Sequence, residues 1–224
     1  MKKMPNPELI VMLTRHDYTV ENAIEVFEQC KNSNALYWGI KENPLPHDVM
    51  KRLFARMKEC GKRTILEVVA YTECEGLAGA QLAAECGCDI LLGTCYYDAI
   101  NDFCKEHNIR YMPFVGNISG RPSVLCGDID DIVKEAKDYA NKGVYGLNLL
   151  GYRYTGDATA LNNTLVKQVD APVCIAGSVD SYKRLDEIKE ARPRFFTIGS
   201  AFFDKRFGET PEEQINNVCN YMEK

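Results

Sequence analysis

The 224-residue chain is 46% hydrophobic and carries a formal net charge of -5, a composition that suits one large α/β domain over residues 1–224 better than two small ones. Its basic residues are scattered, with no aromatic-interleaved basic stripe, which argues against nucleic-acid binding; no apolar run approaches the roughly 20 residues of a membrane helix. The segment Met1–Pro7 is too short and too polar for a signal peptide. Ten cysteines lie mostly in apolar element patterns, such as Cys174 in a strand and Cys30, Cys60 and Cys104 near helix ends, as expected of reduced thiols in a cytoplasmic protein.

Strand and helix patterns alternate eight times. Strand candidates begin near Leu9, Ala35, Arg63, Cys88, Ile109, Val144, Pro172 and Arg194, roughly 26 residues apart, the length of a strand, a loop and a helix. The first helix carries Val20, Ala23, Ile24 and Phe27 on one face, with Thr19 as its N-cap. The second opens at Pro46-His47-Asp48 and closes at Gly61. The third is rich in small residues (Gly76, Ala78, Gly79, Ala80) and should pack close to the sheet. The fourth runs from Tyr97 to about His107, the fifth from Asp128 to Lys142, and the sixth over Ala158–Val169. Ser181 caps the seventh, and the last opens on Thr210-Pro211-Glu212-Glu213, a cap, an N1 proline and first-turn acids. The longest excursion, Asn117 to Gly127, reads either as an active-site lid or as a plain connection. Thr14-Arg15-His16-Asp17-Tyr18 follows the first strand where a dinucleotide fold needs glycines. The series is therefore that of a single (β/α)8 barrel.

In a barrel, a charged strand residue facing the helices would be buried against hydrocarbon, so charges within strands should point into the barrel mouth. Lys41 ends the second strand and Glu67 lies within the third, its neighbour at about 5 Å. A carboxylate beside an ammonium in a dry site suits general acid/base work, or activates Lys41 as an amine nucleophile; the alternative is an interior ion pair. Arg15, His16 and Asp17 end the first strand, where one could reach a substrate, or Asp17 could cap the first helix. Asn148 could orient a substrate hydroxyl, and Arg153 could clamp a carboxylate or a second anionic group. Gly93-Thr94 ends the fourth strand and could line the pocket. Two further strands stop at Gly-Ser: Gly177-Ser178 and Gly199-Ser200. Their matching places after strands 7 and 8 point to phosphate held by backbone N–H groups. Cys86-Gly87-Cys88 has the wrong spacing for zinc, and the only histidines, His16, His47 and His107, lie near no cysteine cluster, so neither a metal nor a cofactor is expected.

With Ala176-Gly177-Ser178 and Ile198-Gly199-Ser200-Ala201 in place, the chain resembles the phosphate-binding (β/α)8, or TIM, barrels of the ribulose-phosphate-binding and aldolase-type group. The resemblance implies a phosphorylated small-molecule substrate at the Gly-Ser loops and catalytic residues at the carboxyl ends of other strands. The third strand lacks the Asp-x-Lys-x-x-Asp pattern of the decarboxylases in that group, the sixth carries Asn148 and Arg153 in place of a Schiff-base lysine, and the His and Asp metal set of pentose-phosphate epimerases is missing. The expectation is therefore a distinct branch: an aldolase-, epimerase- or isomerase-type enzyme acting on a small sugar phosphate or keto acid phosphate by carbonyl/enolate chemistry, with Lys41 and Glu67 as its acid/base pair. A non-catalytic barrel sensing a phosphometabolite, and a metal-assisted lyase using Glu67, Asp17 and His16, are the alternatives. Barrels of this size often associate, so a homo-oligomer is among the expected states.

Overall fold

The computed structural model describes residues 6–224; the Met1–Pro5 part of the segment read as too polar for a signal peptide lies outside them. Among the described residues no helix is long and apolar enough to cross a membrane. Eight parallel strands follow one another: β1 (Glu8–Met12), β2 (Tyr37–Lys41), β3 (Arg63–Val68), β4 (Ile90–Gly93), β5 (Arg110–Met112), β6 (Leu147–Leu149), β7 (Val173–Ile175) and β8 (Phe195–Ile198). They are ordered β6-β7-β8-β1-β2-β3-β4-β5. The remaining seam closes where Phe114 bridges Asn148 and the Asn148 N–H donates to the Pro113 carbonyl at 2.8 Å. The result is the (β/α)8 barrel that the repeating pattern requires.

Strand alternation divides the apolar residues into two cores. Ile10, Met12, Tyr37, Ile65, Ile90, Leu92, Met112, Cys174 and Phe195 face inward and fill the barrel. The alternate set, including Val11, Trp38, Ile40, Leu66, Phe196 and Ile198, packs outward against the helices. Those helices are α1 (Ala23–Cys30), α2 (His47–Glu59), α3 (Glu73–Glu85), α4 (Asp98–Glu106), α5 (Ile129–Asn141), α6 (Ala158–Gln168), α7 (Tyr182–Ala191), the single turn α8 (Ser200–Phe203) and α9 (Pro211–Glu223). The small residues of α3 do bring it against the sheet: a Cβ at Gly79 would stand 2.6 Å from Val68 Cγ1. Gly61, at φ +74°, ends α2 in the left-handed conformation expected after a helix.

Two sequence expectations change here. Asn22, not Thr19, precedes α1. Thr19 belongs to a short antiparallel ribbon, Thr14–Arg15 with Tyr18–Thr19, and its hydroxyl accepts from the Lys41 N–H and donates to the Lys41 carbonyl, both at 2.8 Å. Ser181 sits at the N-cap of α7 without a side-chain bond to the helix. The Asn117–Gly127 excursion folds as a second ribbon, Asn117–Ser119 with Val124–Cys126. Its tip is tied down by Tyr71, whose hydroxyl donates to the Gly120 carbonyl at 2.8 Å, and by an Arg121–Glu42 ion pair.

At α9, the Thr210 hydroxyl accepts from the Glu213 N–H, and the Glu213 carboxylate accepts from the Thr210 N–H in return. The Thr210 and Glu213 N–H groups, two of the donors left over at the start of this helix, are thereby satisfied. Thr210→Ala should lower stability by about 1 kcal/mol and Thr210→Ser should restore most of it; urea unfolding of the three proteins checks this, and equal midpoints would show that the cap contributes nothing.

Candidate active site

The carboxyl ends of the strands enclose a cleft of about 190 Å3. One end of it is built by register. Lys41, the last residue of β2, stands directly beside Glu67 of β3. The strand positions below them, Gly39 and Ile65, share their inward face, so both charged side chains emerge above the apolar filling of the barrel. They remain largely sheltered, with side chains 6% and 9% exposed, and Lys41 Nζ lies 3.7 Å from Glu67 Oε2.

A third group comes from outside the strands. In the Thr14–Thr19 ribbon both turn residues, His16 (φ +50°) and Asp17 (φ +72°), adopt the left-handed conformation, as tight two-residue hairpin turns of the I′ type require. The turn carries Asp17 back over the barrel, and the Thr19 hydroxyl pins it to β2. Asp17 Oδ1 accepts from Lys41 Nζ at 2.7 Å and from Arg153 Nη2 at 3.1 Å. Burial disfavours the charged form of this carboxylate. Lys41 and then Arg153 outweigh that penalty and hold its pKa below the usual 3.8. Two cations, Lys41 and Arg153, thus face two carboxylates, Asp17 and Glu67. Near them Cys174, sealed in the barrel, has its thiol pushed well above 9.0 by burial and by the charge of Glu67, which leaves it inert as a nucleophile.

The other end of the cleft is formed by the loops after β7 and β8. Gly177 (φ +85°) and Ser178 (φ +53°) are both left-handed. The space a Cβ would take at Gly177 is filled by Arg153, whose Cγ would lie 2.8 Å away; at Gly199 it is filled by Thr14 Oγ1, at 2.5 Å. The two glycines therefore admit protein groups rather than leaving an open approach for an anion. The backbone N–H groups of Gly177, Ser178 and Gly199 donate to no acceptor among the described residues, and Arg206 and Ser200 line the same end.

Of the residues singled out in the sequence, Asp17, Lys41, Glu67, Arg153, Gly177, Ser178, Gly199 and Ser200 meet in this cleft. Four others stand elsewhere. Arg15 is exposed and pairs with Asp204 at 3.0 Å. The His16 side chain is exposed, while its backbone N–H donates to Ser200 Oγ at 3.2 Å. Thr94 is buried, its hydroxyl 2.5 Å from the Tyr111 hydroxyl. Asn148 lies inside the barrel, fully buried, and neither atom of its amide has a partner among the described residues. Asp17 is neither the cap of α1 nor, among the described residues, part of any group of three His, Cys, Asp or Glu side chains placed to hold a metal. Arg206, Thr14 and Ser123 also line the cleft and had no motif to announce them. Asp17 had one: a two-residue turn between Thr14-Arg15 and Tyr18-Thr19, flanked by strand-forming residues.

No family model matches the chain, and no curated protein matches it in sequence. Its fold is similar to that of the tryptophan synthase alpha chain from Legionella pneumophila subsp. pneumophila (TM-score 0.65, 12% identity, covering 97% of this chain and 92% of that one). It is similar to N-(5'-phosphoribosyl)anthranilate isomerase from Pyrococcus furiosus (0.66, 11%, 97% and 98%). Orotidine 5'-phosphate decarboxylase from Lactobacillus acidophilus gives comparable values (0.65, 10%, 98% and 100%). At these identities the likeness is one of fold.

Asp17→Asn leaves Lys41 and Arg153 with a weaker common acceptor and should destabilise the protein by about 3 kcal/mol at neutral pH. Because the folded pKa of Asp17 lies below its unfolded value near 3.8, the ionic part of that contribution is complete above pH 3.8 and is lost as the pH falls through the folded pKa. The difference between wild type and variant should therefore narrow below about pH 4. Urea unfolding of both proteins from pH 7 downward tests this; a difference that stays constant would mean that packing, not charge, carries the effect.

Proposed function

We propose that the chain is an enzyme acting on a small phosphorylated sugar or keto acid phosphate by carbonyl/enolate chemistry, of the aldolase, epimerase or isomerase type. The observation that carries this reading is the convergence, in one cleft, of both Gly-Ser loops with the buried Lys41, Asp17 and Glu67. Uncommitted N–H groups at one end suit a phosphate dianion, and Arg206 adds a positive charge there. Two of the structural neighbours are named for phosphorylated compounds, which agrees with this reading.

At the other end, Lys41 lies within reach of two carboxylates. Its surroundings are those of an ion-pair partner, with Asp17 at 2.7 Å and Glu67 at 3.7 Å. Nucleophilic lysines are found instead in apolar pockets or beside other cations. Lys41 is therefore assigned the ammonium role, donating to a carbonyl oxygen and stabilising the enolate that forms on it. Glu67 is the base that takes the proton from the adjacent carbon. Arg153, through Asp17, fixes the assembly. Phosphate binding at a distance orients the reacting end and lowers the barrier through positioning. The same enolate serves epimerisation, isomerisation and aldol cleavage without an imine.

A thermal-shift series with phosphorylated sugars, keto acid phosphates and their unphosphorylated counterparts is the direct test. A ligand at 100 times its Kd should stabilise the fold by about 2.7 kcal/mol. Shifts confined to the phosphorylated compounds are expected; none at millimolar concentration would remove the phosphate site. Once a turned-over compound is in hand, Lys41→Met should abolish turnover while phosphate affinity stays nearly intact, and unchanged turnover would remove Lys41 from the mechanism.

A further inference from the structure

The cleft contains one buried hydrogen-bonding atom that the roles above leave unused. Asp17 Oδ1 accepts two bonds, from Lys41 and Arg153, but Oδ2 is buried and has no partner among the described residues. An ionised carboxylate oxygen can only accept, so only a donor satisfies it, and a buried acceptor without one is unfavourable. The residue is also a non-glycine at φ +72°, a conformation that persists only when its surroundings enforce it. Here they do so through the Thr19 clamp on β2 and the bond from Lys41.

We propose that Asp17 is a specificity-determining residue, whose Oδ2 accepts a hydrogen bond from a hydroxyl next to the carbonyl that Lys41 engages. This rests on the phosphate-and-carbonyl reading above and narrows it. A carbonyl oxygen on Lys41 Nζ and a hydroxyl on Asp17 Oδ2 stand one carboxylate apart, a spacing suited to the vicinal oxygens of an α-hydroxy ketone or aldehyde. A keto acid would bring carboxylate oxygens, acceptors only, against an acceptor. Arg153, the second cation on Asp17, is already engaged by Asp17 Oδ1 and, at 3.4 Å, by the Ser123 carbonyl. The substrate class becomes a phosphorylated α-hydroxycarbonyl compound rather than a keto acid phosphate.

Four small compounds separate these readings by isothermal titration of the wild-type protein: inorganic phosphate, dihydroxyacetone phosphate, hydroxyacetone phosphate (the same molecule without the hydroxyl) and phosphohydroxypyruvate (a carboxylate in place of the hydroxymethyl group). Dihydroxyacetone phosphate should bind on the order of 10- to 100-fold more tightly than the other two carbonyl compounds, and Asp17→Asn, verified as folded by circular dichroism, should erase that preference. Equal binding of hydroxyacetone phosphate, or tighter binding of phosphohydroxypyruvate, overturns the role of Asp17 while leaving the phosphate site standing. If none of the four binds, inorganic phosphate included, the phosphate reading fails and this inference with it. The wild-type comparison decides the matter even if the variant does not fold.

Discussion

Taking an ammonium out of water is unfavourable by several kcal/mol, and Lys41, with its side chain 6% exposed, meets that requirement by standing against Asp17 at 2.7 Å and Glu67 at 3.7 Å. Much of the upper barrel serves this arrangement. The β2–β3 register sets Lys41 beside Glu67. The Thr14–Thr19 ribbon turns through two left-handed residues to deliver Asp17, and Arg153 supplies the second cation that keeps Asp17 ionised. Removing Lys41 would strand the buried Glu67, and removing Asp17 would take from Lys41 and Arg153 their shared acceptor, so the charges form a unit rather than a set of independent contacts.

The barrel itself was legible because its physics is local. Each strand is a short apolar run, each helix an amphipathic stripe, and the Thr210 cap of α9 lies where the sequence puts it. The pairing of Lys41 with Glu67 was legible as well, since a charge inside a strand can escape hydrocarbon only at the mouth, and neighbouring strands bring such charges together. Height along the barrel axis was not. Asn148 has the right facing but sits one level too deep, in the middle of β6. Thr94 turns into the wall toward Tyr111. Arg15 and His16 occupy a ribbon where the sequence shows only a strand end, so their side chains leave for solvent while Asp17 stays inside.

The ribbons also set what the cleft can see of the solvent. The one at Asn117–Cys126 is anchored to the loop after β2 through Arg121–Glu42 and to the loop after β3 through Tyr71. Through Ser123 it reaches Arg153. Long loops at the carboxyl face of such barrels commonly carry function. This one has strand pairing of its own, which fixes its shape, and its Leu125 carbonyl accepts from the Thr155 N–H at 3.0 Å, so side chains are not its only tie to the barrel.

Gly177 ties the two ends of the cleft together. Because the stem of Arg153 lies where a side chain at 177 would be, the loop after β7 and the charge cluster around Asp17 share a wall. Any larger residue at 177 would push Arg153 off Asp17 as well as reshape the loop. The loop after β7 could not accept a side chain at 177 while leaving the Arg153–Asp17 contact in place. Changes at 177 and 153 would have to arrive together, and the two positions should be inherited as a pair.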